Sequence, residues 1–553
     1  MLKSSVCEAG RCSAIRLQLL ALQIDWNHPL GVEGLLSPCG FYDLTILPNP
    51  CGVIKNPNGT VNTTLPVFGD SSRWGYIPGR LRREVKQPSS GVGARRLART
   101  TMIFRRIDSQ SIPNSLGVSE HSRYQPTCVR ILCCSCDSSL GALPIYFTVV
   151  KMSSDCGFPT ATSEEQKEVE MAVLRLFGQV INSPDFHPEK SFTLNKQIHI
   201  DFLKMALLEP LRPSFISLEA SRPWIIYWVL HALDLLGARA LILSEFHESV
   251  PSFLSCCQSP TGGFGGGPHQ IPHLATTYAA VSALICVGTE RALSVIDRHM
   301  MKRFILSLKD ESSGGFRMHE NGETDIRGTY CAIAVASLTQ VLDEDVASGV
   351  ADYVMSCQTY EGGIAGEPGM EAHGGYTYCG LAAVAILGVA QDCLDLHSLV
   401  AWLCRRQQPL EGGFNGRANK LVDSCYTFWQ GAALSLTQQL MPVRPMLFTP
   451  EPAQMYVLLA CQVESGGFRD KPGKSPDYYH SCYALSGLAA LQRPLGPEKG
   501  SMHVVGPTSN LLEANCCFYN NVVERVKFAR NYFTNINDGI GNEGPGTANL
   551  YPS

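Results

Sequence analysis

Five short strings carry the architecture: CQSPTGGFGG from Cys257, KDESSGGFRM from Lys309, CQTYEGGIAG from Cys357, RQQPLEGGFNG from Arg406 and CQVESGGFRD from Cys461. Their Gly-Gly pairs begin at Gly262, Gly314, Gly362, Gly412 and Gly466, at intervals of 52, 48, 50 and 54 residues. About fifteen residues after each pair a helix is expected to open on a small-residue or Cys-Tyr signature. These are Thr277-Tyr278, Thr329-Tyr330, Thr377-Tyr378, Cys425-Tyr426 and Cys482-Tyr483. A period near 50 residues holds two helices of ordinary length plus loops. Trp224 to Leu236 supplies an earlier hairpin, so six hairpins fit between about 200 and 495. Hairpins that cannot bury their faces alone must stack. The repeats allow an open solenoid or a closed α/α barrel and do not choose between them. Closure would bring the inner-helix starts and their polar loops to one rim around an apolar funnel.

Outward from the repeats the chain changes character. Ser163-Glu164-Glu165-Gln166 reads as a capping box, with helical periodicity through Val169, Val173, Leu174 and Phe177. Residues 1–150 show no sustained period, and 151–553 are expected to form the folded domain. The first segment carries a basic run from Arg80 to Arg106 with one acid, Glu84, and clustered cysteines at 128, 133, 134 and 136. A basic run is more often a solvated extension than an anion-binding arm, and the cysteines lack the paired spacing of a metal knuckle. A wrongly extended gene would read the same way. The apolar stretch Leu17–Ile24 is broken by Gln18 and Gln23 and makes a poor signal-peptide core. The sequons at Asn58 and Asn62 are therefore read as chance matches.

Composition narrows the function. Across 553 residues, 45 Lys+Arg against 49 Asp+Glu give a net charge of −4, without the basic excess of a nucleic-acid binder. No apolar run reaches the length of a membrane span. The 22 cysteines are spread along the chain, several in apolar helical contexts, so free thiols and a cytoplasmic location are expected.

Three groups of residues carry chemistry. Asp423, Cys425 and His480 offer a carboxylate, a thiol and an imidazole from what are taken as equivalent places in neighbouring repeats. Three such ligands would leave a zinc ion one open position, the pattern of a catalytic site. Read separately, the same residues are a helix cap, a buried thiol and a core histidine. Arg327, His373, Arg417, Lys420, Lys471 and Lys474 sit on or near the loops before inner helices, where together they would suit a polyanion such as a diphosphate. Asp470 could hold Mg²⁺ on that anion or simply pair with Lys471. The aromatics Trp224, Trp228, Tyr330, Tyr376, Tyr426, Trp429 and Tyr483 lie at helical spacing near helix starts. Such stripes are usually core, but in a closed barrel the core face and a ligand wall coincide.

The strings GGFGGGPHQIPHLATTYAA, DIRGTYCA, EGGIAGEPGMEAHGGYTYCGLAA, EGGFNGRANKLVDSCYTFWQ and GGFRDKPGKSPDYYHSCYALSGL resemble the protein farnesyltransferase β-subunit family. The likeness runs from Ser163 through a C-terminal helix placed at Asn520–Phe533. It implies an all-α fold, an α/α barrel of six hairpins. It also implies a separate α subunit as heterodimer partner, farnesyl diphosphate as donor and the cysteine of a C-terminal CaaX motif as acceptor. By the same carry-over one Zn²⁺ per subunit would be held by Asp423, Cys425 and His480. His373, Arg417, Lys420 and Tyr426 would bind the diphosphate, with Tyr426 also catalytic. Trp224, Arg327, Tyr330, Tyr376, Cys379 and Trp429 would line the isoprenoid pocket, Trp224 closing its bottom. Trp228 and Tyr479 would flank the peptide.

Two alternatives stand beside this reading. A geranylgeranyltransferase β subunit would share the zinc site, but its type I form is expected to carry a small residue in place of Trp224 and Lys in place of Asp470. A non-catalytic helical scaffold would present only its concave face. The Asp-x-Asp-Asp acid of terpene cyclases and the GCGEQ string of thioester proteins are both absent from the chain.

Overall fold

A computed structural model describes residues 158–211, 213–441, 446–494 and 502–536. The 1–150 extension lies outside the described residues. After α1 (Ala161–Ile181) come six pairs, each an outer helix followed by an inner one. They are α2 (Lys196–Leu208) and α3 (Arg222–Leu235), α4 (Ser249–Cys257) and α5 (Leu274–Val287), and α6 (Arg298–Ser307) and α7 (Ile326–Leu338). The rest are α8 (Val350–Cys357) and α9 (Gly374–Ile386), α10 (Leu396–Cys404) and α11 (Tyr426–Leu440), and α12 (Pro450–Met455) and α13 (Tyr478–Gln492). Each inner helix packs on the next and α13 packs back on α3, so the ring closes. The closed α/α barrel, not the open solenoid, is therefore the fold.

The two layers follow from side-chain pattern. Inner helices are apolar or small nearly all round, and α5 buries every residue except Ala275. Outer helices are amphipathic: α6 buries Met301, Phe304 and Ile305 and exposes Arg303. The Gly-Gly turns join the layers. At each turn a residue following the outer helix bridges one beyond the glycines, as in Gln258 with Phe264 and Gln462 with Phe468. Glycine is required by close approach. A Cβ on Gly314 (φ +82) would lie 2.2 Å from the Gly349 carbonyl, and one on Gly466 (φ +99) would lie 2.6 Å from Phe202 Cβ on α2. The last turn thus rests on the first outer helix, closing the second layer as well. His199 on α2 fastens that seam. Its Nδ1 accepts from Gly467 N at 3.0 Å and its Nε2 meets Gln462 Oε1 at 2.8 Å.

The far end of the ring is filled by a hairpin, β1 (Asn515–Cys516) and β2 (Asn521–Val522). Its turn carbonyls accept from buried inner-helix tyrosines: Asn520 O from Tyr227 at 2.5 Å, Tyr519 O from Tyr278 at 2.7 Å and Phe518 O from Tyr330 at 3.1 Å. Asn521 and Tyr519 reach Ser282, Cys286 and Ser337 deeper along the inner helices. The C-terminal helix, α14 (Val523–Asn535), begins after this plug rather than at Asn520.

Three further expectations shift in register. The capping box belongs to Thr160 and Ser163, not to Ser163 and Gln166; the Gln166 amide instead bridges the buried Glu170 and Glu411 carboxyls at 2.9 and 2.8 Å. The inner helices α5, α7, α9 and α13 open twelve residues after the first glycine, so the Thr-Tyr pairs lie a turn inside them. The repeat equivalents of those pairs are Thr427-Phe428 and Ser481-Cys482, not Cys425-Tyr426 and Cys482-Tyr483. The reason is a hydrogen bond: Thr277 Oγ1, Thr377 Oγ1 and Ser481 Oγ each accept from the backbone N of the residue beyond the glycines, at 2.9 Å.

Candidate active site at the mouth of the ring

Eleven residues after each first glycine stands a polar side chain: His273, Asp325, His373, Asp423 and Asp477. All five lie at inner-helix starts, where orphan backbone N–H groups need acceptors. His273 and His373 accept through Nδ1 from Ala275 N and Gly375 N, each at 3.1 Å. Asp325, Asp423 and Asp477 accept through Oδ1 from Arg327 N, Cys425 N and His480 N at 2.8, 2.8 and 2.7 Å. In three of them the second polar atom aims another side chain. Asp325 Oδ2 takes both the Nε and Nη2 of Arg327, His373 Nε2 meets Tyr426 Oη at 2.9 Å, and Asp477 Oδ2 meets His480 Nδ1 at 2.6 Å.

Asp423, Cys425 and His480 converge. The donor atoms of Asp423, Cys425 and His480 lie within 4.8 Å of one another, and His480 Nε2 is 3.3 Å from Asp423 Oδ1. His480 does not occupy the place equivalent to Asp423. That place is Asp477, and His480 corresponds to Tyr426. The trio meets because α11 starts two residues late, after a turn whose Ser424 N is held by Asp470 O at 2.9 Å. Burial alone would disfavour charge on His480, but its bonds and charge coupling to Asp423 and Asp477 outweigh burial and raise it to about 10. Burial also pushes against ionisation of Asp423, and His480 outweighs it, holding the carboxyl below its usual range. The buried Cys425 thiol is driven up by burial and then by the Asp423 carboxylate. A carboxylate, a thiol and an imidazole oriented through its far nitrogen form a donor set that fits a dication such as Zn²⁺.

Beside the trio a cleft of about 550 Å³ opens, lined by Glu323, Asp325, Arg327, Glu371, His373, Tyr376 and Arg417 among others. Arg417 pairs with Glu371 across neighbouring loops. Arg327 lies in the first turn of α7, over the Tyr376 ring at 5.7 Å. Burial, then the charge of Arg417, lowers the pKa of His373. Three expected cations stand apart: the exposed Lys420 and Lys474 do not line the cleft, and Lys471 is buried in an ion pair with Asp470. That pair is the plainer of the two roles left open for Asp470.

A chain of aromatic contacts runs from one inner helix to the next. Trp224 packs at 5.7 Å on both Trp228 and Tyr278; Tyr278, Tyr330, Tyr378 and Trp429 follow at 5.5, 5.4 and 5.3 Å. Trp429 stacks on Tyr483 at 4.5 Å and donates Nε1 to Tyr479 Oη at 3.2 Å. Trp228 meets Tyr479 edge-on at 5.5 Å, and Cys379 is buried on α9. Trp224 lies in the first turn of α3. The plug, Asp477 and Glu371 were not foreseen. The eleven-residue offset shared by the five capping side chains was the signal that could have found Asp477.

Residues 194–528 match the family model for the prenyltransferase alpha-alpha toroid domain. The protein farnesyltransferase subunit beta of Arabidopsis thaliana is 39% identical over 438 residues, covering 68% of this chain and 90% of that protein. Its counterpart from Pisum sativum is 41% identical over 381 residues, covering 57% of this chain and 90% of that protein. Among solved structures, Candida albicans protein geranylgeranyltransferase-I complexed with GGPP superposes with a TM-score of 0.50 at 21% identity. That match covers 62% of this chain and 99% of that one, and at such identity it bears on the fold alone. Among the described residues no helix is long and apolar enough to cross a membrane.

Proposed function

From the premise that this chain belongs to the protein farnesyltransferase β subunits, within the prenyltransferase α/α toroids, we propose that it carries the catalytic site of a zinc-dependent protein farnesyltransferase. Farnesyl would pass from farnesyl diphosphate to the cysteine thiol of a C-terminal CaaX sequence. One observation carries this reading: the Asp423–Cys425–His480 trio and the His373–Tyr426 pair meet at a single mouth, joined through the consecutive residues Cys425 and Tyr426.

Asp423, Cys425 and His480 would hold one zinc ion. Bound zinc supplies the means to keep an incoming cysteine as its thiolate at neutral pH. The sulfur forms a bond to C1 of the isoprenoid as the C1–O bond breaks, and diphosphate leaves with the electron pair. The chain's own groups meet that growing charge. His373 Nδ1 is an acceptor for Gly375 N, so its Nε2 carries the proton and donates to Tyr426 Oη. The tyrosine's own proton is then free to reach a leaving oxygen. Arg417 adds positive charge, and the exposed Lys420, three residues along the same loop, would have to turn towards the anion to add more. The wall from Trp224 to Trp429 would orient the apolar chain and exclude water, while Trp228 and Tyr479 would flank the peptide.

A separate α subunit would complete the site. Ile216, Ile271 and Met370, before inner helices and exposed at 80%, 67% and 60%, would offer apolar contacts to such a partner. The half-buried Trp224 favours farnesyl over a longer donor because its ring occupies wall space beside Tyr278. Co-expression with a farnesyltransferase α subunit tests the proposal. Farnesyl transfer to a CaaX peptide, exceeding geranylgeranyl transfer, is expected. Absence of any prenyl transfer by a stable heterodimer would refute it.

A further inference from the structure

The charges of the cleft run against its proposed ligand. Its lining carries four carboxylates, Glu323, Asp325, Glu367 and Glu371, against two guanidiniums, Arg327 and Arg417. A diphosphate entering this cleft meets more resident negative charge than positive. The two arginines are also already paired, Arg327 with Asp325 and Glu323 and Arg417 with Glu371.

The two pairs are built differently. Asp325 is buried, with 3% exposed, and its Oδ1 caps α7 while its Oδ2 grips Arg327. Releasing Arg327 would leave Oδ2 of this buried carboxylate without its partner. Glu371 caps nothing. It sits on the loop before α9 with its side chain 47% exposed, and reaches Arg417, 39% exposed, on the loop before α11. An exposed ion pair of this kind adds little to stability, so the fold does not depend on it. What Glu371 does is occupy the guanidinium that a diphosphate would use.

We propose that Glu371 is a positioning residue that competes with the diphosphate for Arg417, holding that arginine at the cleft when no anion is bound and weakening anion binding so that the product diphosphate can leave. This rests on the diphosphate reading given above. Its chemistry is a carboxylate-for-phosphate exchange on one guanidinium, with no bond made or broken.

The test uses the co-expressed heterodimer and two variants, Glu371→Gln and Arg417→Gln, with inorganic diphosphate and farnesyl diphosphate as probes and binding read by calorimetry at low and high salt. The amide that replaces the Glu371 carboxylate keeps its shape and a hydrogen-bond acceptor but removes the charge. Glu371→Gln is expected to bind both probes about fivefold tighter, the factor equivalent to one strong surface ion pair, with the gain shrinking at high salt. A merely structural role for Glu371 would give weaker binding or none of this gain. If Arg417→Gln weakens binding while Glu371→Gln leaves it unchanged or weaker, the competition is overturned and the diphosphate site stands. If Arg417→Gln leaves binding unchanged, the diphosphate site is wrong, and the competition falls with it.

Discussion

Replacing Asp477 separates the two jobs of a single carboxylate. Its Oδ1 accepts from His480 N at 2.7 Å and so caps α13, while its Oδ2 meets His480 Nδ1 at 2.6 Å. Asn is as good an N-cap as Asp, so Asp477→Asn should keep the cap and lose the charge. Asp477→Ala loses both. Loss of a cap costs about 1 kcal/mol of stability. Loss of the carboxylate behind a metal-bound histidine typically lowers metal affinity about 10- to 100-fold, or roughly 1.4–2.7 kcal/mol. The expected pattern is therefore graded. Asp477→Asn unfolds like wild type and binds zinc at least several-fold more weakly; Asp477→Ala melts lower and falls in the 10- to 100-fold range. Zinc affinity is measured by competition against a chromophoric chelator, and stability by denaturant unfolding of the same samples. Zinc affinity within twofold of wild type in Asp477→Ala would refute the claim that Asp477 orients His480 for a metal.

Three other outcomes follow from the same geometry. Trp224→Thr removes the ring packed on Tyr278 and Trp228 and should shift the kcat/KM ratio towards geranylgeranyl diphosphate, each newly buried CH₂ contributing about 0.8 kcal/mol; an unchanged ratio would exclude Trp224 as the length gauge. Burial lowers His231 to about 3, only partly offset by Asn520, so below about pH 6.5 the unfolded chain takes up a proton that the native chain refuses. The stability of wild type relative to His231→Gln should then fall by about 1 kcal/mol per pH unit between 6.5 and 4, and parallel pH curves for the two proteins would contradict this. Asp234, raised to about 6 by burial, drifts the opposite way in both proteins and cancels in the comparison. A chain starting at Lys151 should fold, bind its α partner and transfer prenyl groups as the full chain does; loss of folding would show that residues 1–150 belong to the domain.

What could be read in the sequence was what local sterics force. The glycine at each turn faces a carbonyl or side chain of a neighbouring outer helix, as Gly314 faces Gly349, and no other residue fits there. That necessity left a countable period. The convergence of Asp423, Cys425 and His480 was legible for a related reason: few residue types can serve as metal ligands, and all three stood at helix starts. Matching the later repeats by letter rather than by count misplaced their register. In the fourth repeat the hydroxyl rule itself fails, because α11 starts late and Thr427 Oγ1 is left buried without a hydrogen-bond partner. The plug was illegible because its partners are remote: Tyr227 and Asn520 lie 293 residues apart. Glu371 reads as an ordinary surface acid until its neighbour across the loop is Arg417.

Metal content decides the central claim. Purified heterodimer, stripped of loosely held ions, should contain one zinc per β chain by mass spectrometry of the native complex. Cys425→Ala should retain the fold, lose that zinc and lose transfer to a CaaX peptide. Full zinc occupancy in Cys425→Ala, or a zinc-free wild-type heterodimer with undiminished transfer, would contradict the assignment of Asp423, Cys425 and His480 as the metal site.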